Sequence, residues 1–228
     1  MNNSSLSVII TGSTGMVGEG VLHLCLEDPA VEKILVINRK PGGLIHPKLK
    51  EIIHADFFNL GPIADQLCGY NTCFFCLGIS SVGVKEPAYY HITYTLTMHF
   101  AQTLSRGNRG MTFCYISGAG TDSSEKGRSM WARVKGKTEN DLHKFPFESV
   151  FAFRPGFIRP IKGLKHTHSF YRYIDWLFPI GRVLYPGGFC TMRELGLAMI
   201  YTARYGYQRP VIEGNDIIEL AKSQNNPG

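Results

Sequence analysis

Residues 8–28 read VIITGSTGMVGEGVLHLCLED. An apolar, β-branched run ends at Gly12, and Gly15 and Gly18 follow, with Ser13, Thr14, Met16 and Val17 between the glycines. Apolar residues then recur at helical spacing until Pro29 stops the pattern. A strand that turns directly into a helix through such a loop presents free backbone N–H groups and the positive end of a helix dipole, which together hold a phosphate. Gly12 would permit the tight turn, Gly15 a close backbone approach to a pyrophosphate, and Gly18 the packing of the helix on the strand. No Lys-Ser or Lys-Thr closes the loop, which excludes a Walker-type phosphate site. Three glycines alone are weak evidence, but their place after the first strand of an alternating chain points to a dinucleotide.

The alternation is visible along most of the chain. Strands are expected at LSVIITG, VEKILVINR, LKEIIHAD, NTCFFCLG, MTFCYISGAG and ESVFAFRPG. Helices are expected over 16–27, at PIADQLCG, over 86–105 and over 128–144, then over 191–204, followed by a short strand PVIEG and a helix NDIIELAK. This pattern predicts an α/β fold: a doubly wound, mostly parallel Rossmann-type sheet with helices on both faces, in a single domain over 1–228. Residues 156–190 are rich in aromatics, Pro and Gly and break the alternation. They read as a segment that covers a substrate pocket.

Composition narrows the partners. The 228 residues are 44% hydrophobic and 18% charged, as in globular chains. The net charge of +6 comes from scattered Lys and Arg, so nucleic acid is not an expected partner. Six cysteines lie mostly in apolar runs, which reads as free thiols in a reducing compartment. Cys73 and Cys76 have C-x-x-C spacing, but within a strand residues three apart face opposite sides, and no second pair or His pair would complete a metal site. No metal is expected. The start of the chain has no secretory pattern and no apolar run reaches membrane-spanning length, so a cytoplasmic location is expected.

With these landmarks, TGSTGMVG resembles the T-G-x-x-G-x-x-G signature of the short-chain dehydrogenase/reductase superfamily, in its extended or atypical, epimerase-like branch. HADFFN is similar to the third-strand end near the adenine, CLG to the fourth-strand turn, YISGAG to the fifth-strand end with the catalytic Ser, and WARVKGKTEN to the Y-x-x-x-K helix. FRPGFI is similar to the R-P-G segment, and VIEGNDI to the C-terminal strand and helix. VKGKTEN and FRPGFI look most like the small reductase-like group of the Tat-interacting protein.

The resemblance implies a cofactor site made of the Gly12–Gly18 loop, Asn38, Arg39, Lys40, Asp56, Phe57, Leu77, Gly78, Lys135, Pro155 and Gly156. NAD-binding folds usually end the second strand with Asp or Glu, to accept from the ribose hydroxyls. Here that strand runs into Asn38-Arg39-Lys40 without an acid. A guanidinium there suits the extra phosphate, so NADP(H) is favoured over NAD(H). The resemblance further implies hydride transfer to a carbonyl or alcohol, with Ser117 and Lys135 in catalytic positions. The Tyr position, however, holds Trp131, whose indole is no proton-transfer acid near neutral pH. The proton could come instead from Tyr89, Tyr90, Tyr94, Thr121, Ser129 or water. The alternative is an NADP-binding regulatory or redox-sensing protein with a vestigial site.

SFYRYIDWLFP, residues 169–179, has apolar residues on one helical face. It suits packing onto the core of the chain, an apolar or aromatic small-molecule substrate, or a partner or membrane surface. A homodimer is compatible with this pattern. His166 and His168 read as loop residues at the surface.

Overall fold

The computed structural model describes residues 5–161, 163–164 and 177–225. Its centre is strand β1 (Leu6–Thr11), whose residues are nearly all buried, as a strand covered on both faces requires. The chain then forms α1 (Met16–Glu27), β2 (Val31–Asn38), β3 (Leu49–Ile53), a 3-10 turn (Gly61–Leu67) and β4 (Thr72–Phe75). Next come α2 (Glu86–Tyr90), a π-helical turn (His91–Thr95), α3 (Leu96–Gly107), β5 (Thr112–Ile116), α4 (Met130–Leu142) and β6 (Ser149–Arg154). The last third holds β7 (Phe157–Arg159), α5 (Leu177–Leu184), β8 (Phe189–Thr191), α6 (Met192–Tyr205), β9 (Val211–Glu213) and α7 (Gly214–Asn225).

Seven strands form one sheet in the order β3-β2-β1-β4-β5-β6-β9, every pair parallel. The order reverses between β1 and β4. That switch point opens a crevice at the carboxyl ends of the strands, where open α/β sheets take their ligands. One face of the sheet packs against α1, α6 and α7, and the other against the 3-10 turn, α3 and Leu142 of α4. Cys73 belongs to the second core and Cys76 packs against the first, so the C-x-x-C pair does face opposite sides.

Several local details depart from the sequence expectations. PIADQLCG forms a 3-10 turn rather than an α-helix. The long helix expected over 86–105 continues to Gly107 and contains the π-helical turn. Strands β7 and β8 pair in a small separate parallel ribbon that the loosened pattern did not announce. Most of the aromatic stretch 169–179, like His166 and His168, lies outside the described residues. Its last described ring, Phe178, is buried against Phe157 and Phe189, 6.3 and 6.0 Å away between centroids. Thr191 and Glu194 cap α6 reciprocally, and Arg182 of α5 donates to both Glu194 oxygens.

A buried ion pair ties the sheet to α4. Arg154, at the end of β6, meets Glu139 through two hydrogen bonds, and their side chains are only 10% and 2% exposed. Arg154 also donates to Ser123 and lies 3.6 Å from Glu213 at the end of β9. Glu139→Ala would leave the mostly buried guanidinium with only the more distant, exposed Glu213 as a counter-charge, and should lower the unfolding free energy by about 2–4 kcal/mol. Lys144→Ala, which removes an exposed partner of Asp141, should cost no more than about 1 kcal/mol. Urea denaturation of both variants checks this; equal losses would show that the buried pair is no anchor.

Candidate nucleotide and catalytic site

The loops after β1, β4, β5 and β6 meet at the switch point. After β1, Gly12 has a φ of +70°, and a Cβ there would lie 2.8 Å from the Cys76 carbonyl. A Cβ on Gly18 would stand 2.1 Å from the Gly12 carbonyl, so α1 packs directly on the turn. Gly15 differs: its Cβ would meet only the Gly12 carbonyl, at 3.4 Å. Thr14 and Gly15 are exposed, and no side chain caps α1. The loop therefore has one crowded side and one open side, and the open side bears the N–H groups of the helix start. Met16 and Val17 pack against the core below.

Other predicted cofactor residues line up unevenly. Leu77 donates its N–H to Thr11 Oγ1, and Gly78 is exposed with open space around it. Asp56 is exposed and its carboxylate accepts from the Phe58 N–H. The Phe57 ring is buried in the second core, close to Phe100, so its side chain is directed away from the crevice. The Pro155 carbonyl accepts from Ala119 N–H at 2.8 Å, which fixes the β6 loop against the β5 loop. Gly156 lies against the Gly188 carbonyl, 2.3 Å from where a Cβ would be, and so has a packing task.

At the end of β2, Arg39 and Lys40 are exposed and Asn38 is buried. Ser13 Oγ donates to Asn38 Oδ1 at 2.8 Å. Asn38 Nδ2 in turn donates to Glu51 Oε1 at 2.6 Å, and the Gly42 N–H donates to the same oxygen at 2.9 Å. The second strand indeed ends without an acid, but a carboxylate reaches the same place from β3. Sequence reasoning missed it. Its signal was a charged residue flanked by Leu49 and Ile53 on one face of a strand. Glu139 was missed too, although it lies within the VKGKTEN stretch.

The residues expected from the sequence to be catalytic, Ser117, Trp131 and Lys135, come together around the β5 turn. Lys135 donates from Nζ to the Ser117 carbonyl. Burial lowers its pKa to about 8, against the opposing influence of Glu139. Ser117 is buried, and its hydroxyl donates to the Phe153 carbonyl at 3.1 Å, back into β6. Trp131 lies over the glycine turn: a Cβ on Gly120 would be 3.6 Å from its ring and one on Gly118 4.0 Å. Gly136 follows because α4 touches the Asp122 carbonyl, which would stand 1.9 Å from any Cβ at this position. The alternative proton sources are largely engaged elsewhere. Tyr94 donates to Asp141 at 2.6 Å, and burial together with that carboxylate pushes its phenol far up. Tyr89 is buried and its phenol is raised by burial. Thr121 donates to the Gly118 carbonyl; Ser129 is exposed just before α4. Tyr90 stacks near Tyr94, 4.6 Å between centroids.

Among the described residues no group of three His, Cys, Asp or Glu could hold a metal, and no helix is long and apolar enough to cross a membrane.

No protein-family model matches the chain. In sequence it is similar to the mitochondrial protein fmp52 of Aspergillus clavatus, 28% identical over 162 residues that cover 67% of this chain and 66% of that protein. The mitochondrial FMP52-2 of Scheffersomyces stipitis is also 28% identical, over 151 residues and 65% of each chain. The chain thus spans just under two thirds of the length of these relatives. Their mitochondrial names overturn the expected cytoplasmic location, which rested on the lack of a secretory pattern and of a membrane-spanning apolar run, neither of which bears on a mitochondrial location. In structure it is similar to a short chain dehydrogenase from Burkholderia cenocepacia in complex with NADP, with a TM-score of 0.66 and 14% identity over 99% of this chain and 95% of that one. Bordetella bronchiseptica WbmF in complex with NAD+ gives 0.65 and 16%, over 99% and 79%. The UDP-glucose 4-epimerase of Thermotoga maritima gives 0.65 and 12%, over 96% and 82%. The chain has a Rossmann-type fold like that of these dehydrogenase and epimerase structures, and in sequence it is similar to the FMP52 proteins.

Proposed function

We propose that the chain binds a nicotinamide dinucleotide across the switch point, NADP(H) in preference to NAD(H), and acts as an oxidoreductase on a small organic carbonyl or alcohol. The observation that carries this reading is the Gly12–Gly18 loop, with its open side at Gly15 and its uncapped helix start. Those features fit a pyrophosphate. Arg39 and Lys40 would meet the 2′-phosphate, and Lys135 the nicotinamide ribose. The nicotinamide, when bound, supplies or accepts the hydride. The aromatic content of the sequence over about 156–190 suits an apolar substrate. A Burkholderia dehydrogenase with NADP and a Bordetella enzyme with NAD+ share the fold, which supports the class of cofactor without choosing between the two.

Proton transfer departs from a phenol-based scheme. Trp131 covers the glycine turn, and Ser117 is bonded back to β6. These two observations favour slow turnover and keep a second reading in play: a protein that binds NADP and reports on it without appreciable catalysis.

Calorimetric titration should give NADPH an affinity about tenfold above NADH, equivalent to about 1.4 kcal/mol. Arg39→Asp should erase that margin, and Gly15→Val should abolish binding with no loss of thermal stability, since a side chain would fill only the open side of the loop. Equal affinities in the wild type would remove the NADP assignment; unchanged affinity in Gly15→Val would remove the loop from the site.

Lys135 gives a pH dependence. Its pKa is lowered to about 8, so the ammonium that would hold the ribose loses its proton as the pH rises above 8. Binding that needs the charged form should therefore be strongest below pH 8 and weaken above it. NADPH titrations at pH 7 and pH 9.5 should show this fall in the wild type and not in Lys135→Met. A parallel fall in both would place the titrating group elsewhere.

Against a panel of aldehydes and ketones, the wild type should consume NADPH slowly, and Trp131→Tyr should consume it faster, because it returns an ionisable hydroxyl four residues before Lys135. Brisk wild-type turnover that survives Trp131→Phe would assign the proton to another group.

A further inference from the structure

We propose that Glu51 is a specificity-determining residue: it replaces, from the third strand, the acid missing at the end of the second, and it acts against Arg39 in the choice between NAD(H) and NADP(H). This rests on the dinucleotide reading above and deepens it.

Ten residues, 39–48, join β2 to β3 without a helix. A cavity of about 180 Å³ is left between α1, the ends of β2 and β3, and this loop. Its polar end is formed by Ser13, Thr14 and Gly42, with Asn38 and Glu51 beneath them. Ser13 and Thr14 belong to the phosphate loop itself, so this end adjoins the place where the adenosine ribose would lie beside the pyrophosphate. Two carboxylates, Glu19 and Glu51, line the cavity, and neither Arg39 nor Lys40 is part of its wall.

The hydrogen bonds fix Glu51 there. Its Oε1 takes both the Asn38 amide and the Gly42 N–H, and Asn38 is held in turn by Ser13. A carboxylate pinned beside the ribose attracts a 2′-hydroxyl, which can donate to it, and repels a 2′-phosphate, which cannot. Arg39, exposed just after β2 and next in the chain to Asn38, has the opposite preference. The selectivity of the wild type is then the difference of two opposed charges, and each should be separable by mutation.

Glu51→Gln is the variant of choice, because a glutamine oxygen still accepts from Asn38 and Gly42 while the charge is lost. Calorimetry with NADPH, NADH, adenosine 2′,5′-bisphosphate and adenosine 5′-monophosphate should show NADPH and the bisphosphate binding about five- to tenfold tighter to Glu51→Gln. NADH and the monophosphate should bind equally well or up to about threefold more weakly. Arg39→Gln should shift the ratio the other way, and the double variant should return it near the wild-type value. A thermal melt within a few degrees of the wild type certifies that the variant keeps its fold; if it does not, Glu51→Asp, which retains the charge and shortens the reach, must leave the bisphosphate disfavoured. A nucleotide ratio unchanged by Glu51→Gln would overturn the role of Glu51 while leaving the dinucleotide site intact. Failure of every nucleotide to bind the wild type would instead overturn the dinucleotide reading itself.

Discussion

The pairing of Arg154 with Glu139 joins the sheet to α4. It lies where β6, β9, α4 and the loop after β5 converge. Taking a guanidinium and a carboxylate out of water is costly, and only close, doubly hydrogen-bonded geometry offsets it. The geometry in turn dictates where α4 can lie. Once Glu139 is held at the sheet, Lys135, one turn earlier on the same helix face, is carried to the Ser117 carbonyl, and Trp131, another turn earlier, to the glycine turn. Gly136 lets the helix close on the Asp122 carbonyl. Lys135 and Trp131 thus owe their placement to an ion pair one and two turns further along the helix.

The same dependence explains how two motifs far apart in sequence occur together. The Arg of FRPG and the Glu of KGKTEN are the two halves of one contact. Neither motif needs the chemistry of the crevice to account for these two residues. Lys135 lies one turn before Glu139 on the helix, bonded to the Ser117 carbonyl, with Trp131 one turn before it.

The parallel sheet, the glycine turn after β1 and the opposed faces of Cys73 and Cys76 were legible in the sequence because each follows from local period: buried β-branched runs, glycine spacing, and side-chain alternation. Glu51 was not legible as a neighbour of Asn38, because register between β2 and β3 is a property of the pair, and Asn38 meets Ile53 rather than Glu51 across the ladder. The β7–β8 ribbon escaped notice for a similar reason, since two short strands far apart in the chain leave no periodicity to read. The 3-10 turn at Gly61–Leu67 shows propensity losing to length: a span of 7 residues gains too few i to i−4 bonds to settle as an α-helix. The direction of Ser117 is set by the Phe153 carbonyl on the neighbouring strand, a contact invisible to any motif.

Helices α1 and α6 approach through glycines. A Cβ on Gly20 would fall 2.3 Å from Met192 Cγ, and one on Gly196 2.3 Å from Leu24 Cδ1. Gln224, in α7, donates to Asp28 just beyond α1 across 196 residues of chain. The helix that carries the phosphate loop is therefore buttressed by segments synthesised much later. Such contacts have high sequence separation, and closing them early would cost chain entropy before any packing is gained. The loop leaves the ribosome well before α6 and α7, which give it its final support. During that interval the side of α1 that meets α6, at Gly20 and Leu24, lacks its cover, and a variant that folds slowly would leave it open to aggregation for longer.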